Sequence, residues 1–102
     1  MTDFQDAYLS SARLRNAQLQ RSRFPGALLT DADLQNADLS GADLQGAILQ
    51  GANLAGANLE GAQLRGALGL NAYQLCGTRN LRNAQLDDVL QQGVLSQCSS
   101  AR

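Results

Sequence analysis

A small residue followed two positions later by a large apolar one recurs every five residues, in thirteen units without a gap from Thr2 to Gly66. The large position holds Phe4, Leu9, Leu14, Leu19, Phe24, Leu29, Leu34, Leu39, Leu44, Leu49, Leu54, Leu59 and Leu64. The small position is alanine in eleven of the units, with Thr2 and Ser22 the exceptions. A fixed short period of this kind predicts a solenoid, because each unit buries almost nothing alone and is stable only when stacked on its neighbours. Function then resides on a long regular surface and at its two ends.

A period of five fits neither common element. An α-helix advances about 100° per residue, so successive Leu residues would spiral round it without a constant apolar face. A straight strand would send alternate Leu residues to opposite faces and leave half of them in water. A turn in every unit resolves the conflict: each pentapeptide makes one short side of a coil, with its small and its large residue pointing inward. The position two after the large residue supports this, since it is glycine in seven of the thirteen units. Glycine is what a turn of unusual backbone angles selects.

Ala32-Asp33-Leu34, Ala37-Asp38-Leu39, Ala42-Asp43-Leu44, Ala52-Asn53-Leu54 and Ala57-Asn58-Leu59 carry a recognisable signature. They match to the letter the Ala-(Asp/Asn)-Leu-x-x consensus of the pentapeptide repeat proteins, which the chain resembles over about two thirds of its length. The resemblance implies an all-β solenoid, a right-handed quadrilateral β-helix with twenty residues per coil, ending in a short α-helical C-terminal cap of the kind many relatives carry.

The chain supplies its own check on a coil of twenty. The position just before the large residue faces outward and is mostly polar, yet Tyr8, Leu28 and Ile48 are apolar and spaced by twenty, and Leu68 extends the column. Phe4 and Phe24 are also twenty apart, as are Thr2 and Ser22. One side of the square therefore differs from the others.

A chain of 102 residues forms one core. Its formal net charge of −1 gives no general attraction to nucleic acid or to an anionic membrane, so neither is expected as a partner. No apolar run approaches transmembrane length, and the chain enters its repeat at once, so no secretory signal is expected. Arg13, Arg15, Arg21 and Arg23 precede Asp31, Asp33, Asp38 and Asp43 in the chain. Folded at twenty per coil, Arg13 falls in one column with Asp33, and Asp3, Arg23 and Asp43 alternate in another. These charges are expected to be solvated or paired within the molecule; an electrostatic docking site is the other reading.

The rhythm slips at Ala67-Leu68-Gly69-Leu70, which sets the expected boundary between a β-helix of residues 1–69 and a cap of residues 70–102. Asn71 is suited to cap a short helix over Ala72 to Cys76, with Gly77 as its stop. The repeat resumes at Leu81 and Leu86, and Asp87 or Asp88 then caps a second helix with Val89, Leu90, Val94 and Leu95 on its apolar side. Leu75, Leu81, Leu86 and Leu90 are expected on the last coil near Leu54, Leu59 and Leu64. Such a tail covers an edge that would otherwise invite strand addition. The first coil, beginning at Phe4, has no comparable cover, which points to a homodimer, an upstream domain or a binding partner there.

Cys76 and Cys98 both lie in the tail and are placed to link the two helices in an oxidising compartment; two ordinary thiols are the alternative. A cytoplasmic location is expected, or the periplasm or thylakoid lumen if the two are bonded. Zinc is not expected from two cysteines without histidine. Ser96, Ser99 and Ser100 read as a disordered terminus.

With no His and no Lys in the chain, and with Asp33, Asp38 and Asp43 on three different sides of the coil, catalysis lacks both groups and a pocket. No enzymatic activity and no cofactor are expected. The remaining reading is a rigid interaction module that presents flat faces to a protein partner, with the Tyr8, Leu28, Ile48 and Leu68 column as candidate contact. The resemblance raises an alternative. Some family members mimic duplex DNA in shape and acidity and bind topoisomerases such as DNA gyrase, but a net charge of −1 departs from that pattern.

Overall fold

The computed structural model describes residues 2–98. Met1 and residues 99–102 lie outside it, and with them the sequence reading of Ser99 and Ser100 as a disordered end, whereas Ser96, read the same way, is helical, with its hydroxyl donating to the Gly93 carbonyl. From Thr2 to Gly66 the backbone repeats one motif of five residues. The N–H of the small residue donates to the carbonyl of the large residue three before it, as from Ala27 to Phe24 at 3.0 Å and from Ala47 to Leu44 at 3.1 Å. Of the two residues between them, the second has a positive φ in every unit, from 58° at Asp6 to 77° at Gly66. A three-residue hydrogen-bonded step with positive φ at its third position is the signature of a type II turn. Asp6, Ser11, Asn16, Arg21, Asp31 and Asn36 occupy this position where glycine does not. Asp and Asn tolerate it, while Arg21 is held there only by its surroundings.

Successive coils lie in parallel register. Backbone bridges join Asp3 to Arg23, Tyr8 to Leu28, Arg13 to Asp33 and Gln18 to Asp38, one on each of four sides and each twenty residues apart, and the pattern continues upward. Glycine matters most where the coil below carries a carboxyl or amide at the same corner. A Cβ at Gly51 would strike Oδ1 of Asp31, and one at Gly56 would strike Oδ1 of Asn36.

Inside, the large residues stack in columns. Phe4 lies on Phe24 with ring centroids 4.8 Å apart and planes 12° from parallel. From Phe24 to Leu64 every large residue and every small alanine from Ala27 to Ala62 is buried, and Ser22 with them. Phe4, Leu9 and Leu14 are only partly buried, because the first coil has a neighbour on one side alone among the described residues.

After Gly66 two helices interrupt the coil. α1, Ala72–Cys76, has Asn71 as N-cap in a reciprocal capping box with Gln74, and Gly77 ends it. The Gln74 amide also donates to the carbonyls of Leu49 and Ala52, both at 3.0 Å, which ties α1 to the coil below. The repeat resumes as expected, but bridges now join Asn58 to Asn80 and Gln63 to Gln85, a spacing of twenty-two, since α1 lengthens that coil. α2, Asp88–Gln97, follows. Leu75 and Leu86 join the core cluster with Leu54, Leu59 and Leu64, and Leu81 and Leu90 pack partly buried against it.

Three side-chain expectations are corrected. Val94 is buried, but Val89 is 87% and Leu95 57% exposed, so the apolar side of α2 is narrower than its sequence suggests. Asp87 stands at the N-cap of α2 without capping it. Its carboxylate instead accepts from the N–H of Gly66 at 3.0 Å, a donor that the next coil would have satisfied. Finally, Arg13 bridges Asp33 through the backbone, but the ion pair at 3.0 Å is made by Arg15, which reaches across from the turn two residues on. In the column on the opposite side Arg23 pairs with Asp3 at 3.0 Å as anticipated, whereas Asp43 accepts from Gln45.

Candidate interaction surface

Each side of the rod displays one outward column, and the four differ in chemistry. On three sides the outward residue is polar, and where it is Asp or Asn it has a local task. Its Oδ1 accepts the N–H two residues on: Asp33 from Gln35, Asp38 from Ser40, Asp43 from Gln45, Asn53 from Ala55 and Asn58 from Glu60, at 3.0 to 3.1 Å. Asn80 does the same for Arg82 at 2.9 Å. These are Asx turns, which hold the chain into its corner. The Gln35 N–H is the main reason that the Asp33 carboxyl sits below its ordinary pKa; slight burial opposes it, and Arg15 adds to it. For Asp38 burial is the largest single influence and pushes upward, but the Ser40 hydroxyl and N–H, with the Arg79 charge and Gln20 adding to them, leave the group lowered. The acidic residues that might have suggested catalysis are thus turn clamps on separate sides. Sequence reading had the consensus but not its reason.

The fourth side carries no such clamp. Backbone bridges run from Tyr8 to Leu28, from Leu28 to Ile48 and from Ile48 to Leu68, so the four predicted residues form one continuous column. Tyr8 is 87% and Leu68 56% exposed, with Leu28 and Ile48 half-buried between them. Just beyond, Gly69 has φ 81°, and a Cβ there would press on Cα and Cβ of Gln50, so the chain leaves this side at close backbone contact. The sequence showed only a slip in rhythm at that point.

The sulfurs of Cys76 and Cys98 lie at bonding distance, with their Cα atoms 5.2 Å apart, so the end of α2 is brought beside the end of α1. Beside this junction is an open groove of about 570 Å³ lined by Gly51 to Ala55, Tyr73, Gln74, Cys76 and Gly77. It holds no ionisable side chain besides Tyr73. Among the described residues no group of His, Cys, Asp or Glu is arranged to hold a metal ion, and no helix is long and apolar enough to cross a membrane.

A family description, pentapeptide repeats, matches residues 2–41 and 32–68, in eight copies. The chain belongs to the pentapeptide repeat family. Its coil is the right-handed quadrilateral β-helix that these proteins adopt. Among solved structures it is similar to QnrB1, a plasmid-mediated fluoroquinolone resistance protein, with 20% identity and a TM-score of 0.57 over 98% of this chain and 45% of that one. It spans somewhat under half the length of that protein. A pentapeptide repeat protein from the thylakoid lumen of Arabidopsis thaliana aligns at 28% identity over 99% of this chain and 79% of its own, with a TM-score of 0.42. HetL, involved in heterocyst differentiation regulation in the cyanobacterium Nostoc, aligns at 29% identity over 81% of this chain and 48% of its own, with a TM-score of 0.40. Comparison with curated proteins gives no match.

Proposed function

We propose that this pentapeptide repeat chain is a non-enzymatic interaction module that docks a protein partner along the Tyr8, Leu28, Ile48 and Leu68 column. One observation carries the reading: four consecutive rungs of one side hold apolar residues in the position that elsewhere holds a polar residue, often a clamping Asp or Asn. Those rungs forgo the turn bond and gain an exposed stripe instead, which is what a contact surface needs and a turn does not. The absence of His and Lys, and the use of the carboxylates in turns, support the non-enzymatic half of the proposal. Mimicry of DNA toward a topoisomerase is the weaker alternative, because Arg13, Arg15, Arg21 and Arg23 stand on the first coils.

Residues 1–69 act in this reading as the presenting rod, and the tail from residue 70 onward as its cap. The test is the double substitution Leu28→Asn and Ile48→Asn, which installs the residue that Asn53 and Asn58 carry in the same position. The rod should keep its circular dichroism, and its unfolding free energy from urea titration to within about 1 kcal/mol, since new Asx turns offset lost apolar packing. Capture of a partner from source lysate should fall at the same time. Unchanged capture by the folded variant would remove the column from the proposal.

A bonded Cys76–Cys98 pair places the protein in an oxidising compartment, the periplasm or a thylakoid lumen, and free thiols place it in the cytoplasm. The packing of the two helix ends, which sets the Cα atoms of Cys76 and Cys98 5.2 Å apart, supports the first. Alkylation of protein trapped at the moment of cell lysis should find no free thiol, and two alkylated cysteines would return the assignment to the cytoplasm.

A further inference from the structure

In the second coil, Arg23, Leu28, Asp33 and Asp38 each turn both backbone groups toward the first. Leu28, for example, donates to the Ala7 carbonyl at 2.9 Å and accepts from the Leu9 N–H at 2.8 Å. Their counterparts one coil earlier are Asp3, Tyr8, Arg13 and Gln18, one on each side of the square. By the same geometry each of these aims an N–H and a C=O out of the open end, and neither group finds a backbone partner among the described residues. A residue with both groups on one edge is half of an antiparallel hydrogen-bonded pair, in which two such residues exchange both bonds. A second copy of the same end, turned by a two-fold axis across the rod, supplies the other half, because reversing the rod reverses the direction in which its chain circulates.

A square end can meet its own copy in four ways, and the side chains choose among them. If the axis passes through the sides of Asp3 and Arg13, each meets its own like charge in the copy. Axes through the corners set each charge against Tyr8 or Gln18. If the axis passes through the sides of Tyr8 and Gln18, Asp3 faces Arg13 of the copy and Arg13 faces its Asp3. Both charges are exposed and on opposite sides of the first coil, as this arrangement requires. Asp3 already holds Arg23 at 3.0 Å through Oδ2, so the copy's Arg13 would extend an existing pair into a short network. The same arrangement covers Phe4, Leu9 and Leu14, which are the only large residues of the coil left partly buried. We infer that the chain pairs head to head with a second copy through its first coil, with Tyr8 and Gln18 on the two-fold axis and Asp3 opposite Arg13. Two apolar columns then meet at Tyr8 and run as one stripe along the double rod.

The inference stands apart from the docking role of the column, and the experiments separate them. The face of one narrow coil is small, so the dimer is of the weak, concentration-dependent kind. Sedimentation equilibrium of the whole chain should show monomer and dimer exchanging, and Leu28→Asn with Ile48→Asn should leave that exchange unchanged. Arg13→Asp should weaken it by about tenfold or more, since both pairs across the axis become repulsive. Single cysteines read the arrangement directly with a short bis-maleimide and need no change in stability. Tyr8→Cys should link to itself, as should Gln18→Cys. Asp3→Cys should link to Arg13→Cys when the two variants are mixed, but neither should link to itself. A chain that stays monomeric to its solubility limit, or that links through Asp3→Cys alone, would overturn the inference.

Discussion

Replacing Leu44 with aspartate should abolish folding. Leu44 is 1% exposed and lies in the middle of a column, one coil above Phe24 and one below Leu64. Its loss removes the burial of a leucine, about 2–5 kcal/mol by large-to-small substitution in cores. A carboxylate placed there enters a lumen of Leu, Phe and Ala in which the nearby backbone donors are already used: the N–H of Leu44 goes to Gln63 of the next coil and that of Ala47 to Leu44 within the turn. An unpaired buried charge costs several kcal/mol more, or must be protonated to enter. The two effects together match or exceed the stability of an ordinary small domain, about 5–15 kcal/mol, for which this short chain is at the lower end. Leu44→Met, which keeps volume and polarity, should cost less than about 1.5 kcal/mol. Urea unfolding followed by circular dichroism distinguishes the pair. A cooperative transition in the aspartate variant would mean that the column at Leu44 is open to water and that the closed lumen is wrong.

The repeat was legible because each of its five positions has one physical role, so that the role can be inferred from the residue type alone. The buried pair of Ala and Leu, the corner that selects positive φ, and the coil of twenty marked by Phe4 and Phe24 are all found where the sequence predicts them. What escaped the sequence depends on side-chain reach or on a change of register. Arg15 takes Asp33 from Arg13 because the guanidinium approaches along the surface from the next corner. The lengthening of one coil to twenty-two residues follows from α1 occupying a side, a length that no periodicity could announce. The outward Asp and Asn looked like candidate surface chemistry, while their first use is to accept the N–H two residues on. Asn71 is the N-cap that the sequence predicts, and Gln74 was the missed signal that was readable: an Asn with Gln three later is a capping box, and the same Gln then holds α1 to Leu49 and Ala52. For the interaction column the residues and their alignment were legible at twenty-residue spacing. It could not say that the two middle members are half-buried and the outer two exposed, which is a matter of how neighbouring columns pack.

Removing everything after Gly66 should make the rod aggregate. The last coil donates upward to groups that lie beyond that point: Gly56 to Gly77, Leu59 to Asn80, Gly61 to Arg82 and Leu64 to Gln85, each at 2.8 Å. The Gly66 N–H goes to the Asp87 carboxylate, and the carbonyls of Leu49 and Ala52 to the Gln74 amide. Without the tail these donors and acceptors stand in a row as a free β-edge, and Leu54, Leu59 and Leu64, now 2% exposed or less, lose the cover of Leu75 and Leu86. A free edge beside fresh apolar surface is a template for another chain. The truncated chain should therefore scatter light at concentrations where the whole chain does not, and any remaining monomer should unfold at lower urea. Substituting Asp87→Ala and Gln74→Ala in the whole chain removes the two side-chain contributions while leaving Leu75 and Leu86 in place, and should lower the urea midpoint without aggregation. If the truncated rod scatters no more light than the whole chain and unfolds at the same urea concentration, the tail does not close the rod, and its two helices must be kept for some other contact.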